Sequence, residues 1–262
     1  MPTAAFDPTP PGHGAAVPPE PWWGNHLGEL RWQAEWARLL VDPVFRGVGV
    51  TRGDGAPVVL VPGFLAGDVT LAVLRGWLGR MGYDAHGSGM VANIDCSDRA
   101  ADRLHARVVA LHEQTGRKVT VIGHSRGGHF AKALARRDPE RMAAAISIGA
   151  GLDTPFDISI PTQAAVHAVR AVHAQTSDRI ARNGCFTDTC RCRFVNDYTG
   201  PTPDTVPLTS IYSKGDGVVR WRACIVPYAR CVEVRGSHVG LAFNRLVYAE
   251  VGRTLAAQTR GV

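Results

Sequence analysis

No stretch of the 262 residues approaches the roughly 20 consecutive apolar positions needed to cross a bilayer, which excludes a transmembrane helix. The first 21 residues contain neither lysine nor arginine and no apolar h-region, so no secretory signal is expected and a cytoplasmic location is. Charged residues are only 20% of the chain against 45% hydrophobic, which excludes a disordered or fibrous protein. No internal repeat is evident. The six cysteines lack the usual structural-zinc spacing, since four residues separate Cys185 from Cys190 and one separates Cys190 from Cys192, so no metal and no cofactor is expected. Cys224 with Cys231, or Cys185 with Cys190, could form a disulfide if their Cα atoms come within about 7 Å.

What is present is turn-rich, with 29 glycines and 17 prolines. The net charge of +6 is concentrated in residues 98–142, where ten Lys/Arg face five Asp/Glu. These charges run along two expected helices without interleaved aromatics, so they read as solvated faces and no nucleic-acid partner is expected. Stable membrane insertion is not expected either, and nothing in the chain defines an oligomeric state.

Seven prolines among residues 1–21 predict an extended, disordered arm, followed by a single domain over 22–262. A helix over 27–41 carries Leu30, Trp36 and Leu40, and its mixed charge, including Glu29 and Glu35, favours packing on the flank of the domain. Strands over 45–50 and 58–61 are expected to flank a hairpin-like turn. Asp68 caps a helix ending at Gly82, and 83–86 forms a short strand. Ser97 caps the next helix. A strand over 118–122 and a helix over 125–137 follow, then strands over 144–148, 206–212 and 230–234. A final helix spans 239–257. Strand–helix alternation predicts an α/β architecture with a mostly parallel sheet covered on both faces. Residues 151–205 break the alternation. This 55-residue insertion, with a helix over 162–182, is expected to act as a lid or cap.

The chemistry centres on Gly123-His124-Ser125-Arg126-Gly127, a G-x-S-x-G between an apolar strand and a helix. By composition this pattern arises by chance in about one chain in ten, and an ordinary glycine-rich turn is the plain alternative. Its context argues for a nucleophile. A strand that turns directly into a helix needs small residues two before and two after the serine, and it thrusts the hydroxyl above the sheet. Serine needs a base, itself oriented by an acid. His238 follows the last strand and Asp216 the one before, at the sheet edge where open α/β folds bind ligands. Asp153 and Asp157 are second-choice acids. His124, inside the turn, is expected to pack or hydrogen-bond locally. The backbone N–H groups of Arg126 and Phe64 are the expected oxyanion donors. The side chains of Phe64, Leu65 and Val239 are expected to bind an apolar part of the substrate.

Residues 58–64, 123–128, 213–219 and 236–241 resemble the corresponding motifs of bacterial α/β-hydrolase lipases and esterases. The resemblance covers most of residues 55–257, and the order Ser125, Asp216, His238 is the one that fold uses. It implies an α/β-hydrolase fold and a serine esterase or lipase with Ser125, Asp216 and His238 as its triad. The substrate implied is a small-molecule or lipid carboxylic ester. Many such lipases carry His-Gly in the oxyanion loop, whereas Pro62-Gly63 stands here. An acyltransferase or thioesterase using the same triad, or a noncatalytic ligand-binding member of the fold, remains open at this point.

Overall fold

The computed structural model describes residues 22–176, 184–187 and 190–259. The arm expected to be disordered, 1–21, lies outside the described residues. Six strands form one sheet: β1 (Pro57–Val61), β2 (Asp84–Gly87), β3 (Val119–His124), β4 (Met142–Ile148), β5 (Leu208–Ser213) and β6 (Arg230–Val234). Their order is β2-β1-β3-β4-β5-β6. Every pairing is parallel, with Val59 opposite Val121 and Ile122 opposite Ile146.

Alternation along each strand sends side chains to two cores. From β1, Val59 and Val61 enter one core and Val58 and Leu60 the other. The first core is covered by α3 (Ser97–Thr115) and α4 (Arg126–Arg137), through Leu104, Val108, Phe130 and Leu134. The second is covered by α1 (Trp32–Val41), α2 (Ala72–Arg80) and the C-terminal helix (Arg245–Thr259), through Leu39, Leu74, Trp77 and Tyr248. Burial on both faces is why these strands read as apolar runs. No helix among the described residues is long and apolar enough to cross a membrane.

Four local expectations are corrected. Residues 45–50 are not a strand, and β1 has no hairpin partner, since both its neighbours run parallel to it. Asp42 instead accepts the Val44 N–H, Pro43 opens a 3-10 turn, and Gly47 ends it at φ 89°. An Asp-Pro start and a left-handed glycine stop define a helical turn better than a strand. Asp68 does not cap α2. It opens a 3-10 turn before the helix and accepts from the N–H groups of Ser88 and Gly89 and the Ser88 hydroxyl. At the start of α3 the cap position is Cys96, and the Ser97 hydroxyl accepts from Arg126. Finally, the positive charges of 98–142 are not all solvated: the side chains of Lys132 and Arg137 are 0% and 3% exposed.

Within the insertion lie α5 (Ile160–Thr176) and α6 (Arg193–Tyr198). The expected continuation of α5 to 182 falls outside the described residues. Phe194 packs against Phe130 of α4 with ring centroids 5.2 Å apart, and the Tyr198 hydroxyl donates to Gly151 O at 2.5 Å. The insertion's first part is stitched to the loop after β5, because Ser159 N–H donates to Val218 O and Arg220 N–H to Asp157 O. With α5 and α6 in place, the C-terminal helix is α7.

Candidate active site

Ser125 sits between β3 and α4 at φ 52°, ψ −127°, a backbone conformation that non-glycine residues rarely adopt. The turn is this tight because Gly123 and Gly127 let backbones touch and Gly128 leaves room for a neighbouring side chain. A Cβ on Gly123 would lie 2.0 Å from the Gly127 carbonyl, and one on Gly127 would lie 2.0 Å from Val61 O. On Gly128 it would meet Ser147 Oγ at 2.4 Å. The expected small-residue requirement is therefore met by three close approaches. Strain of this kind is characteristic of functional positions.

Ser125, Asp216 and His238 all follow C-terminal ends of strands, on β3, β5 and β6. His238 Nδ1 donates to Asp216 Oδ2 at 2.7 Å, and both side chains are buried. The other carboxylate oxygen of Asp216 accepts the N–H groups of Val218 and Val219, each at 2.8 Å. The acid is thus fixed by its own turn, and the imidazole by the acid. Since a carboxylate can only accept, the His238 proton is on Nδ1 and the lone pair on Nε2. Gly149, at φ 61°, separates this pair from the serine's strand. A Cβ there would lie 3.3 Å from Asp216 Oδ2 and 3.4 Å from His238 Nδ1, and the preceding Ile148 O accepts the Ser125 N–H at 2.8 Å.

Electrostatics separate the two neighbouring histidines. His124 Nε2 donates to His238 O at 2.9 Å, and burial together with the adjacent His238 pushes its pKa down to about 4. It is a neutral spacer, as expected for a residue inside the turn. For His238, burial works to lower the pKa, but the charge and hydrogen bond of Asp216, helped by Glu29, outweigh it. The net shift is upward from 6.5. The second-choice acids are engaged elsewhere: Asp153 accepts from Lys132 Nζ at 3.0 Å and from the Tyr228 hydroxyl, and Asp157 from Arg220 Nε at 2.9 Å.

In the loop of the expected oxyanion donor Phe64, Gly63 faces the serine, since a Cβ there would lie 3.0 Å from Ser125 Cβ. Asn93 braces this loop. Its side-chain amide donates to Pro62 O at 2.8 Å, its N–H donates to Ala66 O, and it forms an isolated bridge with Phe64. Leu65 has a left-handed φ of 61° and is 55% exposed, and Val239 is 41% exposed. Arg126, whose N–H is the other expected donor, turns its side chain inward. The guanidinium donates to Asn93 O, Asn93 Oδ1, Asp95 O and Ser97 Oγ.

Two carboxylates escaped the sequence reading, although their helix was expected. Glu29 Oε1 accepts the N–H groups of Gly217 and His238, and Oε2 accepts that of Val239. Glu35 Oε1 accepts the Ser237 N–H and hydroxyl, and Oε2 accepts from Asn244. Both are buried and hold the loops of Asp216 and His238. In the sequence their charge reads only as a sign that the helix packs on the flank of the domain. Nothing in the local pattern marks a partner 209 positions away.

The architecture has matches among known proteins. A family model described as the alpha/beta hydrolase fold matches residues 82–184. The mature lipase BlEst2 of Bacillus licheniformis superposes with a TM-score of 0.54 at 16% identity, covering 77% of this chain and 92% of its own. A metagenome-derived lipolytic enzyme of the LipS and LipT study gives 0.54 at 17% identity, covering 80% and 96%. A monoglyceride lipase variant from Saccharomyces cerevisiae gives 0.52 at 14% identity, covering 80% and 90%. No curated protein sequence matches the chain. At such identities the likeness establishes the fold: the chain has the α/β-hydrolase fold, and several of its structural neighbours are lipases or esterases.

Proposed function

We propose that this α/β-hydrolase-fold chain is a serine hydrolase of carboxylic esters that works through an acyl-enzyme on Ser125. The observation that carries the reading is the strained Ser125 turn beside a buried Asp216–His238 pair held at 2.7 Å. In the first half-reaction His238 Nε2 takes the Ser125 hydroxyl proton as Oγ attacks the ester carbonyl. The N–H groups of Phe64 and Arg126 receive the developing oxyanion, aided by the N-terminus of α4. Asp216 holds the imidazole in the productive tautomer and stabilises the imidazolium that forms. His238 then protonates the leaving alkoxide. Water, activated by the same histidine, releases the acid in the second half.

Phe64, Leu65 and Val239 are the apolar side chains assigned to the acyl or alcohol group. The exposure of Leu65 and Val239 supports a mouth open to a small-molecule or lipid ester. We place the enzyme in a cytoplasmic setting, where cysteine side chains stay reduced. Residues 151–205 serve in this reading as the cap that selects substrate, since Asp157 and Ser159 in its first part are stitched to the Asp216 loop.

Hydrolysis of a short nitrophenyl ester by the wild type and by Ser125→Ala tests the reading. The variant is expected to lose at least about a thousandfold in kcat, and a fluorophosphonate is expected to label Ser125 alone. Unchanged hydrolysis in the variant, or no labelling of the wild type, would overturn it.

A further inference from the structure

Away from the reacting atoms, three thiols meet in the interior. Cys96 Sγ lies 3.5 Å from Cys185 Sγ, which lies 3.3 Å from Cys192 Sγ, and all three sulfurs are within 4.8 Å of one another. Cys190, two residues before Cys192, is partly buried against the same core. Two of these groups would suffice for a disulfide, whose sulfurs stand about 2.05 Å apart. Three thiols converging at wider spacing describe a different object. Sulfurs bound tetrahedrally to zinc at about 2.3 Å are about 3.8 Å from each other.

We propose that the three converging thiols of Cys96, Cys185 and Cys192, joined by neighbouring Cys190 as fourth ligand, bind one thiophilic divalent cation of the zinc class. The site fastens the insertion to the start of α3. The sequence spacing argued against zinc because it considered the local run Cys185, Cys190, Cys192. Cys96 comes from 89 positions upstream, at the residue preceding α3. Binding breaks four S–H bonds and forms four metal–sulfur bonds. Four protons pass to solvent, and no electron is transferred.

The surroundings suit such a charge. Four thiolates around a dication leave a net −2, which a buried site must compensate. The Arg126 guanidinium stands within electrostatic reach of Cys96 and Cys185, and its carbon lies 4.9 Å from the Phe186 ring centroid. Its hydrogen-bond acceptors named above are all neutral oxygens, and its charge faces Cys96 and Cys185 together with the Asp95 carboxylate. A carboxylate from α3 completes the fastening: Asp98 accepts the N–H groups of Arg193 and Phe194 at the start of α6. Metal binding therefore fastens Cys185 and Cys192, the residue before α6, to the start of α3, next to the residue that follows the nucleophile.

Elemental analysis of the full-length protein purified from zinc-containing medium, without chelator, is expected to find one zinc per chain. Exchange with Co²⁺ is expected to produce the thiolate charge-transfer and tetrahedral visible bands. Cys96→Ser and Cys192→Ser are expected to lose both signals, whereas Cys231→Ser, outside the cluster, keeps them. A second measurement needs no variant: a chelator is expected to expose the four cluster thiols of the wild type to alkylation and to lower its Tm. The inference is overturned if no zinc is found and Co²⁺ gives no bands. It is equally overturned if non-reducing mass analysis finds the cluster already disulfide-bonded, or if binding survives Cys96→Ser and Cys192→Ser together.

Discussion

Glu29 holds His238 by its backbone: the carboxylate accepts the His238 N–H at 2.9 Å, and with its second oxygen the Val239 N–H at 2.8 Å. The same carboxylate binds the N–H of Gly217, beside Asp216. One buried side chain, on the 3-10 turn His26–Arg31, therefore ties the loop of Asp216 to that of His238. It also faces the imidazole electrostatically, adding to Asp216 in raising the His238 pKa.

A pH profile reads this coupling. The base must be neutral to accept a proton, so ester hydrolysis is expected to fail as pH falls through the raised His238 value, above 6.5. Glu29→Gln removes negative charge that favours the imidazolium, so His238 protonates less readily. The acid limb of kcat/KM is expected to move to lower pH by a fraction of a unit. Glu29→Ala leaves three buried N–H groups unpaired and is expected to cost about 3 kcal/mol in denaturant unfolding. An unmoved acid limb in Glu29→Gln would show that the carboxylate acts on geometry alone.

Asp216→Asn and Asp153→Asn are expected to part company in activity. The first leaves His238 without its carboxylate acceptor and is expected to lower kcat about ten-thousand-fold. The second disturbs only the Lys132 and Tyr228 contacts and is expected to leave kcat within about threefold of the wild type. Comparable losses in the two variants would mean that the acid has been misassigned.

Ser125→Gly and Ser125→Ala both delete the hydroxyl, yet they are expected to differ in stability. Alanine keeps the Cβ at φ 52°, ψ −127°, where glycine is at ease. The glycine variant is expected to be the more stable by about 1 kcal/mol in chemical denaturation, although both are inactive. Equal stabilities would indicate that the turn relaxes once the hydroxyl is gone.

Glycines of the turn and of the adjoining helices are expected to respond oppositely to an added methyl. Gly123→Ala drives a Cβ to 2.0 Å from the Gly127 backbone and is expected to cost more than about 3 kcal/mol or prevent folding. Gly79→Ala, in α2, meets no atom within 4 Å and is expected to stabilise by about 0.5–1 kcal/mol. Thermal melts compare the two directly.

Much of the fold was legible because burial on both faces writes itself into composition. β1 and β3 are apolar runs bounded by glycine and proline, and the parallel sheet with helices on both sides follows from their alternation with helices. Residues 45–50 misled because Phe45, Val48 and Val50 resemble a strand, while the Asp42-Pro43 start and Gly47 stop dictate a helical turn. Asp68 misled because a carboxylate before a helix reads as a cap, whereas its partners came from the loop after β2.

By itself the sequence determined the α/β class, the serine turn with its glycines, and the placement of Asp216 and His238 after consecutive strands. These features are local, or follow from strand order in a parallel sheet. Only the tertiary structure decided that Asp216, rather than Asp153 or Asp157, meets His238, and that Glu29 and Glu35 hold the loops of both. It alone brought Cys96 to Cys185 and Cys192. Each of these contacts joins segments far apart in the chain, and a carboxylate or thiol carries no local mark of a partner it meets only after the chain has folded.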